Sequence, residues 1–205
     1  MLEVGCGTGY TYRALTAALP GAHVVGTELY EEGLTIARRR LPGAELRALD
    51  VRAMPYEEAF DLVAAFDVLE HIDDDEGALA GMRRALVPGG GLVVTVPQHP
   101  FLWSDADAYA HHERRYRRGE LVERVGAAGF RVERVTSFVT LLAPLMVLSR
   151  LRSRVGASFD PLAEFAIPRP LDRLFERVAR VEQRLIGAGA SLPFGGSLLL
   201  VARRL

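Results

Sequence analysis

A chain of 205 residues with 49% hydrophobic content can bury one sizeable core, and its size argues against two independent domains. Twenty-five basic and twenty-six acidic residues leave a formal net charge of −1, which gives no bulk attraction to nucleic acid. The single cysteine, Cys6, excludes an internal disulfide framework and a zinc-type cysteine cluster. With no secretory pattern of basic and apolar residues at the start, a reducing cytoplasmic setting is expected.

In chain order, Leu2-Glu3-Val4 reads as a short apolar strand running directly into Gly5-Cys6-Gly7-Thr8-Gly9-Tyr10. Glycines at 5, 7 and 9 let the backbone turn tightly and approach a ligand, with N–H groups and the next helix N-terminus forming an electropositive rim. Tyr12 to Leu19 follows as a helix stopped by Pro20-Gly21, and His23 to Thr27 as a strand ending at Glu28. Glycine turn, helix, strand and acid form the nucleotide-binding βαβ order. An acid about 20 residues after the glycines is placed to accept ribose hydroxyls. Glu28 lies at that offset, the alternative being a solvated Glu at a helix N-terminus.

Leu46 to Leu49 is a third strand ending in Asp50-Val51, and Phe60 to His71 is an almost continuous apolar run suited to a buried parallel strand. A helix over Glu76 to Leu86, ended by Pro88-Gly89-Gly90-Gly91, leads to a fifth strand at Leu92 to Pro97. The alternation predicts a doubly wound α/β fold, with ligands beyond the carboxyl ends of the strands. Gly5 to Gly9, Glu28, Asp50 and Phe66 all fall there.

Together, Glu3 to Gly9, Glu28, Asp50, the Phe66-Asp67-Val68-Leu69-Glu70-His71-Ile72 segment and Leu86-Val87-Pro88-Gly89-Gly90 resemble the ordered motifs of Rossmann-like (class I) S-adenosylmethionine-dependent methyltransferases. The resemblance covers roughly residues 1 to 137. It implies that Glu3 and the loop of Gly5, Cys6, Gly7, Gly9 and Tyr10 hold the methionine part of S-adenosylmethionine. Glu28 and Leu29 would take the ribose, Asp50 and Val51 the adenine, and Phe66 the open side of the cofactor. A nicotinamide cofactor is disfavoured because GxGxxG spacing is absent. Family members carry helices before the first strand; here Met1 abuts it, which is expected to leave one side of the cleft open.

The loop after the fifth strand contains the only Trp and leads into His111-His112-Glu113-Arg114-Arg115-Tyr116-Arg117-Arg118. It is similar to the acceptor loop of a bacterial subgroup of small-molecule methyltransferases. Trp103, Tyr109, His112, Arg115 and Tyr116 are therefore expected at the substrate, although a run of arginines is also read as a solvated face or an anion-binding patch. Methyl transfer needs alignment, exclusion of water and, for a hydroxyl or acidic carbon, a base. His71, His99 and His111 are the candidate bases. Asp73-Asp74-Asp75 is adjacent rather than convergent, and Asp105 with Asp107 does not complete a calcium loop, so no metal is expected.

Residues 129 to 135 alternate as a sixth strand, and Phe138 to Leu151 is apolar, too short to span a bilayer and interrupted by Pro144. Arg150, Arg152 and Arg154 flank it. A connector over 156–170 precedes an amphipathic helix at Leu171 to Leu185, and the last strand is Ser197 to Ala202. The resemblance places that strand antiparallel between strands five and six. The expectation is a single domain of seven mostly parallel strands with helices on both faces: a cofactor core at 1–137, a helical insertion at 138–190 and a final strand region at 191–205. The insertion fits a pocket lid, a homodimer contact or a peripheral membrane surface through 138–154. The activity expected is methylation of an O, N or C atom of a small aromatic or apolar acceptor, without nucleic acid. RNA or protein methylation, or a non-catalytic cofactor-binding partner subunit, are the alternatives.

Overall fold

The computed structural model describes residues 1–153 and 168–205. Its seven-stranded sheet comprises β1 (Leu2–Val4), β2 (Val25–Glu28), β3 (Glu45–Ala48), β4 (Phe60–Phe66), β5 (Leu86–Pro97), β6 (Phe130–Phe138) and β7 (Ser197–Arg204), in the spatial order β3-β2-β1-β4-β5-β7-β6. The first five strands pair in parallel, and β7 runs antiparallel to both β5 and β6. The chain winds outward from β1 to β3 and then returns to β4. This reversal opens a crevice at the carboxyl ends of β1 and β4, where ligands bind in open sheets of this kind.

Helices α1 (Tyr10–Ala18), α2 (Glu31–Arg40), α3 (Asp75–Ala85), α4 (Asp105–Tyr109), α5 (Arg118–Ala127), α6 (Ala143–Ser153) and α7 (Arg169–Gly187), with short 3-10 turns at Val51–Ala53, Leu69–His71 and Pro100–Leu102, complete the described elements. Leu2, Val63, Leu92, Val94, Leu198 and Leu200 are fully buried along the sheet, and Leu79, Met82 and Leu121 pack on it from α3 and α5. Each such side chain contributes roughly 1.5–3 kcal/mol by leaving water. Helix α3 starts as its acids predict: the Asp74 carboxylate accepts from Gly77 N at 2.9 Å.

Several elements differ from the sequence expectation. Helix α2 was not singled out, because its apolar face holds only Leu34 and Ala37 as buried residues. Strand β5 begins at Leu86 rather than Leu92: Phe60 pairs with Leu86 before the register shifts, so the glycine run continues the strand instead of leaving the sheet. Pro144 falls in the first turn of α6 and opens that helix rather than interrupting Phe138 to Leu151, since a first-turn residue needs no intrahelical N–H partner. The basic cluster is mostly internal. Arg115 pairs with buried Asp107, Arg114 and Arg124 pair with buried Asp75, and Arg118 donates to the Val135 and Leu192 carbonyls. The side chains of Arg150, Arg152 and Arg154 and the connector at 156–167 lie outside the described residues. Among the described residues no helix is long and apolar enough to cross a membrane.

Candidate active site

A cleft of about 650 Å3 lies at the carboxyl ends of β1 to β4. Gly5, Gly7, Glu28, Leu29, Asp50 and Val51 line it, so much of the expected cofactor set converges on one space. His71 and His111 line it as well. Two glycines are required by geometry. Gly5 has φ +69° and a Cβ there would stand 2.5 Å from Val68 Cγ2; Gly9, at φ +86°, caps α1 and a Cβ would stand 2.7 Å from Leu41 Cδ1.

Glu28 is held in place before any ligand arrives. One carboxylate oxygen accepts from Gly7 N at 2.9 Å and the other from Tyr30 N at 3.0 Å, leaving lone pairs for a diol. Asp50 accepts from Arg52 N at 2.9 Å and from the Arg52 guanidinium at 2.8–3.1 Å; the Arg52 hydrogen bonds hold its carboxyl below the usual range. Arg52 lines the cleft too and was not singled out from the sequence. Nor was Arg40, which fastens the glycine loop from α2. Its Nη1 donates to Thr8 O at 2.6 Å, and its guanidinium stacks 3.8 Å over the Tyr10 ring. Tyr10 is thereby held on the outer side of the loop and is exposed.

Glu3 is fully buried, and neither carboxylate oxygen has a partner at hydrogen-bond geometry. Burial pushes its carboxyl up to about 7, with the nearby Thr11 side chain offsetting part of the rise. An orphaned carboxylate next to a glycine loop is suited to a cationic ligand group. Burial pushes the Cys6 thiol up to about 12, so it stays protonated and is a small loop residue rather than a nucleophile. Asp67 and Val68, rather than Phe66, line the cleft beyond β4. The left-handed backbone of Asp67 (φ +53°) ends β4 and turns the chain so that these two residues face the space.

The loop expected at the acceptor separates into different environments. Tyr116 is fully buried, with its hydroxyl 2.7 Å from Asp75 Oδ2 and 3.2 Å from Leu69 O, so it belongs to the core and not to a substrate surface. Arg115 is buried as well, its Nε donating to Asp107 at 2.7 Å. Trp103 and Tyr109 are exposed at the surface and do not line the cleft. His99 also stands away from it: its ring stacks on Phe194 at 4.4 Å, and burial together with Arg115 lowers its affinity for a proton. His112 lies edge-on to His71, with ring centroids 4.7 Å apart, and its Nδ1 is 2.9 Å from Asp107. Burial alone would raise Asp107, yet hydrogen bonds from His112 and Arg115 hold it well below the usual carboxylate range. Of the three candidate bases, His71 and His111 adjoin the cleft, and burial and the His112 ring lower His71.

A second cavity, of about 300 Å3, lies between the sheet and α7, lined by Phe138, Val139, Leu142, Val178 and Ile186 together with Thr95. The Thr95 hydroxyl is 3.1 Å from Asp67 Oδ1, and Asp67 lines the first cleft. That hydrogen bond links one lining residue of each space. Glu182, at the rim of the second cavity, is spent on the backbone: it accepts from Thr140 N and Leu141 N at 2.8 and 2.9 Å.

Known proteins agree with this architecture. A family model described as a methyltransferase domain matches residues 2–94. A trans-aconitate 2-methyltransferase of Variovorax paradoxus is 35% identical over 100 residues, 48% of this chain and 39% of that protein. A Mycolicibacterium smegmatis protein named as a probable S-adenosylmethionine-dependent methyltransferase is 32% identical over 136 residues, 65% of this chain and 52% of its own length. The chain thus spans between a third and about half of the length of such relatives. An S-adenosylmethionine-dependent methyltransferase from Mesorhizobium loti shares the fold at TM-score 0.63 and 20% identity, over 99% of this chain and 89% of that one. Two of these proteins are named as S-adenosylmethionine-dependent, and the residues here fit that cofactor. The orphaned Glu3 carboxylate would meet the ammonium, Glu28 the ribose hydroxyls, and Asp50 with Val51 the adenine edge. Glycine turn, placed acid and reversed sheet order, together with the match of a methyltransferase domain to residues 2–94, make this chain similar to the class I, Rossmann-like S-adenosylmethionine-dependent methyltransferases.

Proposed function

We propose that this protein transfers the methyl group of S-adenosylmethionine to an O, N or C atom of a small acceptor with an aromatic or apolar body, held in the cavity beneath α7. The observation that carries this reading is the Asp67–Thr95 hydrogen bond, which joins a residue lining the cofactor cleft to one lining an apolar cavity. The cofactor supplies an electrophilic methyl on a sulfonium, so the protein has little covalent chemistry to do. The apolar walls exclude water and orient the acceptor, and Asp67 or His111 on the cleft side would receive a proton where the acceptor must lose one.

Calorimetric titration with S-adenosylhomocysteine, with NADH in a parallel cell, tests the cofactor half: micromolar binding of the former alone is expected. A methyl-transfer screen of phenols, quinone precursors, amines and trans-aconitate tests the acceptor half, trans-aconitate being included because similar proteins carry its name. Turnover of an apolar acceptor that is lost in Val178→Glu, with cofactor binding intact, supports the assignment. Preference for the tricarboxylate would overturn the apolar acceptor. Cofactor binding with no transfer to any acceptor would favour a non-catalytic subunit.

A further inference from the structure

Beside the cleft, Glu70, His71 and His112 each present a ligand-type atom, and the three atoms lie within 4.8 Å of one another. Glu70 and His71 come from the single 3-10 turn Leu69–His71 that follows β4, and His112 from the loop after α4, some forty residues later. A backbone bond from Glu113 N to Glu70 O, 2.7 Å long, fixes the two segments together.

The cluster is more than a chance grouping of polar residues. Glu70 is fully buried, yet neither of its carboxylate oxygens has a hydrogen-bond partner, an unfavourable arrangement unless a ligand or proton satisfies it. His112 is oriented from behind: its Nδ1 is 2.9 Å from the buried Asp107 carboxylate, which Arg115 and Ser104 hold in turn. That leaves Nε2 of His112 as the free ring atom. A carboxylate behind a histidine is the outer support that metal-ligating imidazoles use to fix tautomer and orientation.

We infer that Glu70, His71 and His112 form a binding site for a divalent transition metal such as zinc or iron(II), with two imidazoles and one carboxylate as ligands. Two nitrogen donors disfavour magnesium and calcium, which take oxygen ligands. Three protein ligands leave coordination positions open, as in catalytic rather than structural sites. Glu70 lies behind in the protein and His71 lines the cleft, so the open positions face the cleft and suit an oxygen ligand, either water or a hydroxyl or carboxylate of the acceptor. This last step rests on the proposed acceptor reading; the metal site itself does not. The site was hidden in the sequence because no metal-ligand spacing joins residues 70, 71 and 112.

The test is titration of chelator-stripped full-length protein with Co2+, read by visible d–d absorption, followed by Zn2+ competition. One equivalent of Co2+ should bind and be displaced by Zn2+. His112→Ala and His71→Ala should each lose this binding, and Asp107→Asn should weaken it roughly 10–100-fold. Circular dichroism would confirm that each variant is folded, and His23→Ala controls for surface histidines. Absence of a d–d spectrum, or equal affinity in wild type and both histidine variants, overturns the site. S-adenosylhomocysteine titration of the same stripped protein separates the two readings: cofactor binding without metal binding defeats only this inference, and metal binding without cofactor binding defeats only the methyltransferase assignment.

Discussion

The Thr95 hydroxyl donates to the Asp67 carboxylate across 3.1 Å, and the Asp67 N–H returns a hydrogen bond of 3.1 Å to the same Thr95 oxygen. Residue 95 lines the apolar cavity and residue 67 lines the cofactor cleft, so this reciprocal pair links the two linings. Thr95→Val keeps the shape and removes both bonds. The expected result is a loss of about 1.5–3 kcal/mol in denaturant unfolding, because one partner is charged. A larger fall in kcat than in S-adenosylhomocysteine affinity is expected with it; equal falls in both would remove Thr95 from the acceptor side.

Glu28→Ala should weaken S-adenosylhomocysteine binding by about 1.5–3 kcal/mol, roughly 10–100-fold, by removing charge-assisted bonds to a diol. The substitution also releases the N–H groups of Gly7 and Tyr30, both next to solvent, so the melting temperature should change little. Calorimetry and a thermal melt report the two effects separately, and unchanged affinity would remove Glu28 from the ribose site.

Glu3 predicts a pH dependence. Burial raises its carboxyl from 4.5 to about 7 in the ligand-free fold, so between those values the folded chain holds more protons than the unfolded one. Its contribution to stability is therefore fully present below pH 4.5 and declines as pH rises through about 7. Cofactor binding runs the other way. A cationic ammonium favours the ionised carboxylate, so affinity should rise by up to about tenfold per pH unit between pH 5 and 7 and then level off. Glu3→Gln should flatten this profile, and a slope that persists in the variant would assign it to another group.

Asp107→Ala should be costly. It strips the buried Arg115 guanidinium of its carboxylate and leaves His112 without its support. Breaking such a buried pair from one side costs about 3–5 kcal/mol. Urea denaturation should register the loss, and Arg115→Met in the Asp107→Ala background should recover part of it if the uncompensated charge is the cause.

Much of the cofactor cleft was legible because its determinants are local. A strand that runs into Gly5, Gly7 and Gly9, and an acid that ends the next strand, need only backbone rules and the order of elements, and the doubly wound sheet follows from the same alternation. The sequence also raised the expectation that the 98–116 loop is functional, but did not tell which of its side chains turn inward. Tyr116 and Arg115 looked like substrate contacts and are buried against Asp75 and Asp107. Left-handed backbone at Asp67, His99 and His111 redirects neighbouring side chains in a way that helix and strand periodicity does not encode. The Thr95–Asp67 hydrogen bond, the clasp of Arg40 on the glycine loop, and the meeting of Glu70 and His71 with His112 join residues 28, 32 and about 40 positions apart. Such contacts exist only once the sheet order brings separate turns to the same edge, so composition and spacing determined the cofactor chemistry, while packing alone decided what stands beside it.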